Sequence, residues 1–191
     1  MKKVETLQDL LIVHLLKFGD DAGFAESEMD KNDDDYYRRN FVRALFAMIE
    51  GSVFVIKQST LIAGFSEGRL SFAEIALLKE ETFDLDNKGN VRSQVKFLRI
   101  ADNFKFAARM ASRVFDCNLD LGVGTQEWDY FLELIRIRNR VTHPKGSSDF
   151  EISQDEAELA RKVFYWFNDF VVALTECISG RIEVLNKQAK K

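Results

Sequence analysis

Thr125-Gln126-Glu127-Trp128-Asp129-Tyr130-Phe131-Leu132-Glu133-Leu134-Ile135-Arg136-Ile137-Arg138-Asn139-Arg140-Val141-Thr142-His143-Pro144 is the most informative stretch of the chain. Gly124 precedes it, Thr125 can cap it, and the proline closes it, so it reads as one helix from about Thr125 to Thr142. Asp129, Glu133, Arg136 and Arg140 recur at helical spacing and form a narrow charged stripe that should face water. Most of the remaining positions are apolar, as expected of a helix buried around most of its circumference. At about 100° per residue, Arg138 falls almost opposite the charged stripe, in line with Phe131 and Ile135. A guanidinium there must be paired, or must border an interface or a ligand cleft.

The flanking sequence extends the helical reading. A first helix is predicted from Val4 to Phe18, on the spacing of Val4, Leu7, Leu11, Leu15 and Phe18. The stretch to Asp35 is rich in Asp, Asn, Ser and Gly and reads as a flexible acidic loop. A long helix follows over residues 34–62. Its core stripe is Phe41, Leu45, Met48, Ser52 and Val55, with Arg39, Arg43, Glu50 and Lys57 on the opposite side. Residues 70–80 read as a shorter helix. Asp84-Leu85-Asp86-Asn87-Lys88-Gly89 is a turn and not a calcium loop, because Lys88 and Val95 stand where an EF-hand needs oxygen ligands. A fourth major helix is predicted over 93–115, with Phe97, Ile100, Phe104, Ala108, Ala111 and Phe115 inward. The last opens on Ser153-Gln154-Asp155-Glu156, a capping box, and carries Leu159, Val163, Trp166, Phe170, Leu174 and Cys177 on one face. No alternation long enough for a strand stands out. The expected fold class is all-α, a single domain over 1–191, built as an antiparallel bundle of five to six helices: an N-terminal helix and loop over 1–33, and a bundle over 34–185.

Composition agrees. The chain has 191 residues, 17 Phe and a single Pro, which suits long uninterrupted helices. Two His and two Cys are too few for a zinc ribbon, a multi-histidine cage or a disulfide scaffold, so no metal and no cofactor is expected. A reduced, cytoplasmic setting suits two separate cysteines. Glu5 and Asp9 interrupt the approach to Leu10–Leu16, so no secretory signal is read there, and no membrane association is expected. Net charge is −4, which argues against a general nucleic-acid coat. Residues 19–35, however, hold eight acids and one base, leaving 26 basic against 23 acidic residues elsewhere. Within that remainder, residues 136–145 carry Arg136, Arg138, Arg140 and Lys145 with no acid, a compact cationic window beside His143.

Arg138-Asn139-Arg140-Val141-Thr142-His143 resembles the Arg-Asn-x-x-x-His signature of the HEPN superfamily of small helical domains. Phe131 to Ile137 is similar to the usual lead-in of that motif, and one long helix follows, as in the family. The similarity of pattern spans about residues 34–185, while the specific signal is six residues long. Many HEPN proteins are metal-independent endoribonucleases, often toxins or phage-defence effectors, that work as dimers with two motifs facing one cleft. The resemblance implies that Arg138 holds the scissile phosphate of an RNA, that His143 is the general acid/base, and that Asn139 orients them. Arg136, Arg140 and Lys145 would add RNA contacts. It also implies a homodimer, and an antitoxin or a nucleotidyltransferase as the class of protein partner. Some toxin subgroups carry a tyrosine two residues after the histidine as the target of such a transferase; here that residue is Lys145.

The chemistry is self-consistent, since RNA brings its own 2′-hydroxyl nucleophile and needs only a proton carrier and a cation. Arg138 and His143 lie roughly 140° apart on an ideal helix, so they converge only if the helix distorts at Pro144 or if two subunits contribute one each. Two other readings share the residues. One is a non-catalytic module binding RNA, a nucleotide or a protein through the same cations. The other is a helical interaction scaffold without nucleic acid, favoured if Arg138 is internally ion-paired to Glu50 or Asp102.

Overall fold

A computed structural model describes residues 2–32 and 34–188, with side chains over 13–32 and 34–181. Six α-helices and one two-stranded sheet make up the described chain, in the order α1 (Lys2–Lys31), α2 (Asp35–Ser66), α3 (Phe72–Leu78), β1 (Glu81–Leu85), β2 (Val91–Val95), α4 (Ile100–Phe115), α5 (Gln126–Thr142) and α6 (Gln154–Gln188). A 3₁₀ turn at Ser147–Phe150 links the last two. The fold is mostly helical, as expected.

The acidic stretch is not a loop: α1 runs on to Lys31. Leu15, Ala22, Ala25 and Met29 are buried at three-, four- and seven-residue spacing and form one apolar side of the helix, while the side chains of Val4, Leu7 and Leu11 lie outside those described. On its polar side, Glu26 and Asp30 hold Arg161 of α6, and Tyr165 donates to Glu26 Oε1 at 3.1 Å. α2 starts just beyond, where the Asp34 carboxylate accepts from the Tyr36 N–H and caps the helix.

α2 is the central helix. Phe41, Leu45, Met48, Ser52 and Val55 are all buried, as their spacing predicts. It is long and apolar enough to cross a bilayer, but most of that apolar surface is already buried against its own chain. Lys57, expected among the solvent-facing residues, is instead 2% exposed. Its ammonium donates to Glu80 Oε1 at 2.7 Å and to Asn103 Oδ1 at 3.0 Å, and Asn103 Nδ2 donates to the same Glu80 oxygen. The carboxylate draws its proton affinity down through Lys57 and Asn103, against the opposing effect of burial. The charge is buried because it is paired and hydrogen-bonded.

The fourth predicted helix begins seven residues late. Residues 91–95 form β2, paired antiparallel with β1 from Glu81↔Val95 to Leu85↔Val91. Asp86 organises the turn, its carboxylate accepting from the backbone of Lys88 and Asn90, and Gly89 takes the positive φ of 80° that the turn requires. Phe97, expected inward, is 91% exposed. From Ile100 on the expectation holds, with Phe104, Ala108, Ala111 and Phe115 buried.

The cysteines are not separate thiols. α4 ends at Asp116 in the left-handed region, φ 55°, which turns Cys117 toward α6. There it forms a disulfide with Cys177, Cα–Cα 5.7 Å, across 60 residues of sequence. This bridge overturns the expectation of reduced, unpaired cysteines.

Two outcomes follow for stability. Glu80→Ala leaves a buried ammonium without its anion and should cost about 2–3 kcal/mol in urea melts, less than a fully buried pair because Glu80 is itself half-open; Lys57→Met with Glu80→Leu should cost less than that single change. Reduction of Cys117–Cys177 should lower the melting temperature, with up to ~4 kcal/mol lost from a loop of this length.

Candidate functional site

α5 is rotated by its aromatic side. Trp128, Phe131, Leu134, Ile137 and Val141 are buried, and the rings of Trp128 and Phe131 lie against Phe104 of α4 and Trp166 of α6. With that face fixed inward, Arg138 emerges toward α2. Its Nη2 donates to Glu50 Oε1 at 2.7 Å, its guanidinium carbon sits 5.5 Å from the centre of the Phe46 ring, and its Nη1 donates to Asn139 Oδ1 at 3.2 Å. Asp102, the other candidate partner, pairs with Lys105 instead.

The pair is not internal. Arg138 and Glu50 side chains are 30% and 47% exposed, and both line an open cleft of ≈ 580 Å³. Arg43, Phe46 and Ala47 of α2 form one wall; Val141, Thr142 and Pro144 form the other, and Phe150 closes one side. Arg43 and Arg138 thus face one space whose remaining lining is largely apolar. That arrangement suits a planar or singly charged anionic group with an apolar body. Arg43 is exposed on the side of α2 opposite the core stripe, as expected; that it lines this cleft is what the sequence did not reveal, though its spacing of seven from Glu50 places the two on one side of the helix.

The rest of the motif is spread around the helix end. α5 continues to Thr142, whose hydroxyl donates to the Arg138 carbonyl at 2.7 Å. His143 is the first residue outside the helix, φ −126° and ψ 59°, and its N–H still donates to the Asn139 carbonyl at 3.0 Å. Its imidazole is exposed. Its neighbours Thr142 and Pro144 line the Arg138 cleft, but His143 itself does not. The distortion that would converge the two within one chain is therefore not present.

Arg136, Arg140 and Lys145 are not brought to the cleft. Arg136 is 76% exposed and pairs with Glu133 one turn back. Arg140 makes two 2.8 Å bonds to the Glu156 carboxylate at the start of α6, in a separate depression with Arg38 and Asp35. Glu156 is also the reciprocal partner of Ser153 in the expected capping box, so Arg140 braces a helix terminus. Lys145 is exposed, and its backbone N–H donates to Asp149. The cationic window of the sequence thus divides into a cleft arginine, a structural arginine and two solvent-facing cations. Among the described residues no group of His, Cys, Asp and Glu is placed to hold a metal ion.

Comparison of the chain with protein-family models, with curated proteins and with solved structures finds no match.

A half-exposed ion pair is worth about 0–1 kcal/mol, so an incoming anion can exchange with Glu50 at small cost. Glu50→Gln should leave the melting temperature nearly unchanged. It should also tighten binding of a phosphodiester such as dimethyl phosphate by up to about fivefold in NMR titration. Arg138→Ala should remove that gain.

Proposed function

We propose that the protein acts on RNA as a metal-independent endoribonuclease of the HEPN type, cleaving by attack of the 2′-hydroxyl at a site completed in a dimer. The observation that carries this reading is that Arg138 and Arg43 line one open cleft, with His143 exposed between two of its lining residues, Thr142 and Pro144. Arg138, loosened from Glu50, takes the scissile phosphate, and Arg43 adds a second cation. Phe150, 42% exposed at the cleft edge, offers a ring on which a base can stack. His143 moves the proton, an imidazole being the side chain best suited to do so near neutral pH.

Because α5 stays helical to Thr142, this reading uses the two-subunit route. His143 of one copy serves the Arg138 cleft of the other, and a two-fold axis supplies two such sites. Asn139 keeps its orienting role through Arg138 Nη1. Arg136 and Lys145 act as outlying phosphate contacts, while Arg140 is assigned to structure. A role in toxin–antitoxin or phage-defence systems goes with this proposal.

The Arg138–Glu50 pair favours a second reading, a helical interaction scaffold without nucleic acid, because a pre-paired guanidinium is not poised as a bare phosphate hook. Turnover separates the two. RNA cleavage should persist in EDTA and leave a 2′,3′-cyclic phosphate and a 5′-hydroxyl, and DNA should resist. His143→Ala should abolish cleavage while preserving RNA binding. Arg138→Ala should weaken binding by about 1.5–3 kcal/mol and slow cleavage as well. Undiminished cutting by His143→Ala, or loss of parental cutting in EDTA, rules out the catalytic assignment. Binding without cutting by the parent leaves the module reading.

A further inference from the structure

The β1–β2 hairpin is amphipathic, and both of its faces are open to solvent, the apolar one included. The register places Phe83 opposite Ser93 and Leu85 opposite Val91, with Val95 opposite Glu81, on one face. Thr82, Gln94, Asp84 and Arg92 occupy the other. On the apolar face Phe83 is 55% exposed, Leu85 65%, Val91 69% and Val95 67%. Lys96 N–H donates to the Glu80 carbonyl at 2.7 Å, which carries the pairing one step further, and the exposed Phe97 follows. Two-stranded hairpins are marginal in water unless a hydrophobic face is packed on something. Here the packing face is formed, but nothing among the described residues covers it.

We propose that this face is the contact between two copies of the chain. In a two-fold contact a patch meets itself, so like charges within it would oppose one another. This patch is nearly free of them: its only charged member is Glu81, half-buried at its base. Phe83, Leu85, Val91, Val95 and Phe97 together offer on the order of 600–800 Å² per copy, near the ~800 Å² per partner of a standard stable interface. Around the hairpin, Glu81, Asp84 and Asp86 balance Lys88, Arg92 and Lys96, so there is no basic excess to favour an anionic lipid surface.

The surface also reaches the cleft described above. Phe97 and Phe54 line a smaller depression with Glu80 and Glu50, and Glu50 is the residue that holds Arg138 in the neighbouring cleft. A second copy seated on the hairpin therefore lies beside the Arg138 cleft. The interface itself does not depend on the RNA reading, since it is carried by the hairpin alone.

Sedimentation velocity at micromolar concentration tests it on the full chain. The parent should run at twice 22.0 kDa. Phe83→Ser with Val95→Thr should weaken the dimer at least about 100-fold, giving monomers with unchanged helical circular dichroism, because both side chains are already exposed in the monomer. Gln94→Ser on the opposite face should leave the dimer intact. A monomeric parent overturns the proposal, as does a double variant that still dimerises, which would place the contact elsewhere. Flotation of the parent as a monomer with phosphatidylserine vesicles overturns it too, by assigning the face to a membrane.

Discussion

The ring of Phe104, fully buried, is the point on which the other aromatic side chains converge. Phe170 meets it edge-on at 4.9 Å between centroids, Phe167 at 5.6 Å, Phe131 at 5.9 Å, Trp166 at 6.1 Å and Trp128 at 6.5 Å. Such pairs add about 0.5–1.5 kcal/mol each beyond the area they bury, and their geometry is directional. They lock α4, α5 and α6 together and fix the rotation of α5 about its axis. Once Trp128, Phe131, Leu134, Ile137 and Val141 are committed inward, Arg138 has no freedom but to emerge against α2. The position of the candidate site is thus a consequence of the core.

Where an element buries a stripe drawn from its own strong apolar residues, it was legible in the sequence. The α2 stripe of Phe41, Leu45, Met48, Ser52 and Val55, the limits of α5 between Thr125 and Pro144, and the Ser153–Glu156 box are of this kind. The acidic part of α1 was not, because its buried side is made of Ala22, Ala25 and Met29, small residues that a count of charges outweighs. The hairpin escaped because Phe83, Leu85, Val91 and Val95 alternate over only two short strands, interrupted by a polar turn. Lys57 looked like a solvent-facing residue; the acid that permits its burial is 23 positions away at Glu80. The disulfide joins residues 60 apart, and only the left-handed turn at Asp116 brings them together.

The candidate site was legible in the same partial way. That Arg138 must be paired or border a cleft follows from helical periodicity, and it does both. That Arg136, Arg138 and Arg140 would act together does not follow, since residues two apart on a helix point to different sides. Arg136 and Arg140 accordingly go to Glu133 and Glu156. Arg43 lies 95 positions from Arg138, and only the packing of α5 on α2 places both on one cleft. Asn139 and His143 sit where the sequence puts them, at the end of α5, but the continuous helix keeps the imidazole out of its own chain's cleft.

The proposed ribonuclease activity turns on one exchange: Arg138 would leave Glu50 for a phosphate, and a histidine would reach the adjacent 2′-oxygen. A crystal structure with a short RNA blocked by 2′-O-methyl groups observes this directly. The proposed mechanism predicts a backbone phosphate within hydrogen-bond distance of Arg138 and Arg43, Glu50 displaced, and His143 of a second copy at the methylated 2′-oxygen. RNA bound elsewhere, with Arg138 still on Glu50 at 2.7 Å, would contradict it.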